Sequence, residues 1–156
     1  DKVLLQLKDV SVEIAKPTAP QSVVRSTTVE GITFSVVVPP TVSVNTPITT
    51  YLRNVGKEPI SFQTNSEVPN LFMIRVWDAT GRHVGGPGRM SMMLHTVGQV
   101  LILRPGEQAT QIMRLDQECL SLEPGPHSMT VGMHVTQGKD NRLLEVKDVP
   151  LEIVRK

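Results

Sequence analysis

The residue types in this 156-residue chain best able to do chemistry are sulfur and imidazole, carried by seven methionines, four histidines and one cysteine. They fall in two clusters: Met90, Met92, Met93 and His95 in one run, and Cys119, His127, Met129, Met133 and His134 in another. Thioether, thiolate and imidazole together suit copper. Cys119, His127 and Met129 even follow the ligand order of blue-copper sandwiches. Seven residues separate the first two and one separates the second pair, so the compact ligand loop is not reproduced. A Cu(I) site without the cysteine would draw on Met93, His95, Met129 and Met133 from adjacent strands. The competing explanation is flexible apolar filler in a domain with few aromatic residues, and on that basis no cofactor is expected. Cys119, beside Leu120 and Leu122, reads as a small buried side chain, since a lone cysteine cannot close an intrachain disulfide.

Other chemistries have less support. Nucleophilic catalysis needs a serine or cysteine with a positioned base, and no Gly-x-Ser-x-Gly elbow is present. His127 and Ser128 are neighbours on a strand and therefore point to opposite faces. The carboxylate pairs Glu118 with Glu123 and Asp140 with Asp148 sit near loops and read as solvated charges. Gly85-Gly86-Pro87-Gly88 lacks the Lys-Ser/Thr and helix of a phosphate-binding loop, and no calcium loop of alternating acids occurs. The chain is expected not to be an enzyme. Sixteen basic against fifteen acidic residues leave a formal charge of +1, which gives no field for nucleic acid or an anionic membrane. One tryptophan and one tyrosine do not make a base-stacking platform.

The elements that would position these groups are strands. Valine, isoleucine and threonine make 44 residues and alanine four, a balance that favours pleated structure. Ile32, Phe34, Val36 and Val38 recur at every second position, with Thr33 and Ser35 between them, until Pro39 and Pro40, which cannot donate to a ladder. A strand over Ile48 to Asn54, a turn at residues 54–59 and the pair Ile60 and Phe62 suggest a hairpin. Residues 71–78 are apolar on both faces except at Arg75, the pattern of a central strand covered on both sides. Trp77 is then expected in the core, with an ion-paired Arg75 at the rim. Asp78-Ala79-Thr80-Gly81 is a turn signal for a second hairpin to residues 82–84, and residues 85–88 read as an exposed, mobile loop.

Residues 90–103 contain one or two strands, followed by a tight turn at Arg104-Pro105-Gly106-Glu107 and another strand to Leu115. A short helical turn could occupy residues 116–122. Met129, Val131, Met133 and Val135 alternate cleanly. After a turn at residues 137–141, the apolar phase of Leu144 and Val146 shifts at Val149, Leu151 and Ile153, which predicts a bulge. Residues 7–14 resemble residues 146–153, as two strands with one charged face would, and Pro150 marks a sheet edge. The count is seven to nine strands with no helix longer than a turn, an all-β antiparallel sandwich in a single domain spanning 1–156.

From Tyr51 to Val135 the chain resembles the bacterial intracellular proteinase inhibitor family and related immunoglobulin-like envelope modules. The resemblance rests on Asn54-Val55-Gly56-Lys57-Glu58-Pro59-Ile60, on Phe72-Met73-Ile74-Arg75-Val76-Trp77-Asp78-Ala79-Thr80-Gly81-Arg82-His83-Val84, on Leu103-Arg104-Pro105-Gly106-Glu107 and on Leu122-Glu123-Pro124-Gly125-Pro126-His127. It covers a little over half the chain and implies an immunoglobulin-like sandwich without catalytic residues.

The expected function is thus a non-catalytic protein-binding or assembly module, with a protein partner and no membrane insertion. Pro39, Pro40, Gly86, Pro87, Arg89 and Met90 are the candidate contact residues, on a proline-stiffened and a glycine-rich loop, and the terminal strands could pair with another chain. The alternatives are a protease inhibitor with Arg89-Met90 as the scissile position, or a periplasmic copper-binding protein. A start at Asp1 fits export, so the periplasm, cell envelope or exterior is the expected location.

Overall fold

A computed structural model describes residues 21–43, 46–64, 72–85, 99–113, 115 and 122–155. Ten strands lie in them: β1 (Val23–Val29), β2 (Ile32–Val38), β3 (Ile48–Asn54), β4 (Ile60–Thr64), β5 (Phe72–Asp78), β6 (His83–Gly85), β7 (Gln99–Leu103), β8 (Gln108–Met113), β9 (Gly125–Gln137) and β10 (Asp140–Ile153). They form two antiparallel sheets packed as a β-sandwich. The smaller sheet has the order β1-β2-β3-β8, and the larger has β6-β5-β9-β4-β7 with β10 on the other side of β9.

Period-2 patterning places the core. Ile32, Phe34, Val36 and Val38 of β2 are buried, and they face Phe72, Ile74 and Val76 of β5 and Met129, Val131, Met133 and Val135 of β9 across one continuous apolar cluster. Phe34 stacks on Phe72 with ring centroids 6.1 Å apart, linking the two sheets at their centre. Each such side chain contributes about 1.5–3 kcal/mol through removal from water, which makes this cluster the main source of stability. The expected bulge is present. Val146 pairs with Val131 and Val149 with Met129, so Lys147 and Asp148 together oppose Thr130, and the apolar phase recovers beyond them.

Ten strands exceed the expected seven to nine partly because β1 carries no alternating pattern, its three valines standing at its ends. Its hairpin to β2 turns through Glu30 and Gly31, both at positive φ (46° and 83°), the geometry that suits the twist of a two-residue loop. Glutamate is an uncommon residue there. An ion pair with Arg142 of β10 holds it.

Two expectations need correction. Residues 55–59 do not close a hairpin: β3 pairs with β2 and β8 in the smaller sheet, while β4 pairs with β7 and β9 in the larger, so the turn crosses between sheets. Its physical cause is Asn54, which is fully buried. The Asn54 amide donates to the carbonyls of Glu58 (2.8 Å) and Leu103 (2.9 Å), and its oxygen accepts from the Gly56 N–H (3.0 Å). Its backbone N–H donates to Glu107 and its carbonyl accepts from Gly106. Through its side chain and its backbone, this one residue joins the two crossovers, residues 55–59 and 104–107, at the same end of the sandwich. Second, β5 is covered on one face only: Met73 and Trp77 are half-buried and Arg75 is exposed on the outward face. Trp77 is therefore not a core residue. The core between the sheets is filled by Phe34, Phe62, Phe72, methionines and aliphatic side chains, and the indole packs against His83 at 5.8 Å instead. Arg75 is ion-paired as expected, with Glu145.

Candidate functional site

Unpaired strand edges are where a sandwich can meet another chain, because their N–H and C=O groups lack partners. The sequence manages most of these edges. β6 is three residues long. β10 contains Pro150, and near its end Val42 bridges it: the Val42 N–H donates to the Glu152 carbonyl (2.8 Å) and the Val154 N–H to the Val42 carbonyl (2.9 Å). β1 carries Arg25 among serines and threonines, and β8 exposes Ile112 as its one large apolar side chain.

β7 has no such protection. Among the described residues it pairs with β4 alone, and Val100, Leu101 and Ile102 are 58%, 42% and 63% exposed. Consecutive strand residues point to opposite faces, so β7 is apolar on both sides as well as along its open edge. No charged residue or proline interrupts Gln99–Leu103. In a monomer this is the arrangement that recruits another strand.

The residues singled out in sequence are distributed differently. Pro39 and Pro40 end β2 and are half-buried; beyond them Val42 and Ser43 are buried, and Ser43 accepts and donates hydrogen bonds with Thr46 at 2.8–2.9 Å. This segment straps the smaller sheet to β10 rather than projecting as a free loop. Gly86, Pro87, Arg89, Met90, Met93, His95 and Cys119 lie outside the described residues, as do residues 7–14. Met129 and Met133 are buried on the inward face of β9 within the apolar cluster. The sequence does not mark β7 as a surface, because a short apolar run reads equally well as a strand buried on both faces.

Among the described residues no three His, Cys, Asp or Glu side chains converge in a way that could hold a metal ion. His127 Nδ1 lies 3.0 Å from the Gly125 carbonyl, and His134 is exposed on the outward face of β9. Asp78 accepts from the Thr80 hydroxyl (2.6 Å), the Thr80 and Arg82 N–H groups (2.9 and 3.0 Å) and Arg82 Nε (3.1 Å). These donors, the Thr80 hydroxyl first, hold its carboxyl down at about 2. It is a turn-forming anion with no proton to give near neutrality. No helix among the described residues is long and apolar enough to cross a membrane.

No family model and no curated protein matches the chain. Among solved structures it is similar to the ApaA protein from Bordetella pertussis, with 13% identity over 87% of this chain and 93% of that one and a TM-score of 0.45. It is also similar to the C-terminal domain of wzt, with 11% identity over 88% of this chain and 80% of that one and a TM-score of 0.43. At such values neither likeness bears on the site or the activity.

Proposed function

We propose that the protein is an immunoglobulin-like, non-catalytic binding module that joins a larger assembly in the cell envelope or outside the cell by pairing β7 with a strand of a partner protein. The observation that carries this reading is the edge of β7, left open among the described residues, with Val100, Leu101 and Ile102 exposed and no charge or proline within the strand. Strand addition would satisfy the edge backbone groups while the partner's side chains cover the three apolar ones. The immunoglobulin-like assignment is supported by the two antiparallel sheets and by the paired crossovers at residues 55–59 and 104–107.

The test compares wild type with a Val100→Lys/Ile102→Lys variant in affinity isolation of the full chain from its native source. A Thr28→Lys variant on the outward face of the smaller sheet serves as control. A stoichiometric partner present with wild type and the control but lost with the β7 variant supports the reading. A partner retained by the β7 variant overturns it.

A further inference from the structure

The outward face of the larger sheet carries a recess of about 410 Å³ between β5, β9 and β10. Trp77 forms one wall, Thr130 lies at the base, and Arg75, Glu145, Lys147 and Asp148 stand around it. The β10 bulge builds the far side. By placing Lys147 and Asp148 together opposite Thr130, it brings an extra charged residue to the rim that a regular strand would not present. Asp148 is held at φ +53°, a conformation that disfavours side-chain-bearing residues, and among the described residues its carboxylate has no hydrogen-bond or ion-pair partner. Glu145, by contrast, is engaged by Arg75 and by Lys147 at 3.6 Å.

We propose that this recess binds a neutral saccharide, one ring face lying against Trp77 and its hydroxyls meeting Asp148, Lys147 and the Arg75–Glu145 pair. Charge selects this class. The four ionic groups sum to zero, with donors and acceptors interleaved, so a phosphate or carboxylate would confront Glu145 and Asp148, and a cation would confront Arg75 and Lys147. A sugar hydroxyl both donates and accepts and can use either kind of group. The apolar C–H face of a pyranose complements the electron-rich face of an indole. A peptide strand is disfavoured because β5, β9 and β10 already pair with one another here and offer no open backbone edge. His83, packed against the indole at an angle of 72°, fixes the wall from outside.

Trp77 is the single tryptophan of the chain, so its emission and its indole N–H resonance report on this recess alone. The probes are neutral oligosaccharides of glucose, mannose, galactose, xylose and N-acetylglucosamine, with polygalacturonate as the acidic comparison. The expected result is a saturable change in both signals with at least one neutral probe. By calorimetry, Asp148→Gly then weakens that binding by about tenfold or more, as loss of a charged hydrogen-bond partner should. Glycine suits φ +53°, so this variant keeps or raises the melting temperature, and weakened binding cannot be ascribed to misfolding. Trp77→Leu abolishes binding and Trp77→Phe restores part of it. The proposal is overturned by no saturable change with any neutral probe up to about 10 mM, beyond the millimolar range of weak single-ring sites. Binding indifferent to Asp148→Gly, or binding of polygalacturonate alone, overturns it equally.

Discussion

Replacing Asn54 tests whether one buried amide holds the two sheets in register at the crossover end. Asn54→Ala deletes three hydrogen bonds, to Glu58, Leu103 and Gly56. The Leu103 carbonyl is the costly one: it accepts in a fully buried contact, and leaving it unpaired costs about 2 kcal/mol. The Glu58 and Gly56 groups lie nearer water and lose about 0.5–1 kcal/mol each, giving a total of about 3–4 kcal/mol. In a chain of this size that lowers the melting temperature by about 10 °C.

Asn54→Asp sharpens the test through its sign. The variant keeps the shape but turns both donors into acceptors aimed at two carbonyl oxygens, and burial together with those oxygens raises the introduced carboxyl above its unfolded value near 3.9. The folded state then holds a proton that the unfolded state has released, so stability falls as pH rises between the two values. The deficit relative to wild type is therefore smallest below about pH 4 and largest near neutrality. Urea unfolding followed by circular dichroism at both pH values, for wild type and both variants, measures it. An alanine deficit under about 1 kcal/mol, or an aspartate deficit that ignores pH, refutes the reasoning.

Other expectations follow from single contacts. A Cβ on Gly31 would stand 2.6 Å from the Gly56 Cα at φ +83°, so Gly31→Ala should cost about 3 kcal/mol or more in chemical denaturation. Gly56→Ala, whose nearest contacts are at 3.4 Å, should be milder. Carboxyl NMR should place the Asp78 titration near 2, and Thr80→Ala should move it upward. Because that carboxyl is depressed in the folded state, its contribution to stability is present above its unfolded value and vanishes as pH falls through about 2. Met129→Leu and Met133→Leu should each change stability by less than about 1.5 kcal/mol, the tolerance of a volume-conserving core swap; a larger loss seen only in the presence of Cu(I) would show a ligand role instead.

Elements with a buried face were the legible part of this protein. The alternation at Ile32 to Val38 and at Met129 to Val135 predicts the strands that form the centre of each sheet, because burial of one face imposes period 2 on the side chains themselves. The phase slip between Val146 and Val149 predicts the bulge for the same reason, while the positive φ it imposes on Asp148 is visible only in the structure. Asp78 to Gly81 predicts its hairpin because the turn is satisfied locally, by Asp78 itself. β1 carries no such signal, because its inward face is only half-covered and exerts little selection on residue type. Trp77 lies outside the core that its spacing suggests, because an apolar side chain at the correct spacing does not state which face is covered.

Composition and periodicity by themselves determined the all-β class, the turns and the positions of the central strands, since these depend on neighbours within a few residues. Which sheet each strand joins was decided only in three dimensions. Asn54-Val55-Gly56 looks like a hairpin turn until the Asn54 amide is seen to reach Leu103, 49 residues away. The candidate surfaces have the same origin: β7 is an edge because no described strand lies beyond it on that side of the sheet, and the Trp77 recess exists because a bulge on β10 meets β5 across β9. Exposure is a property of what packs beside a residue, and contacts of long sequence separation set it.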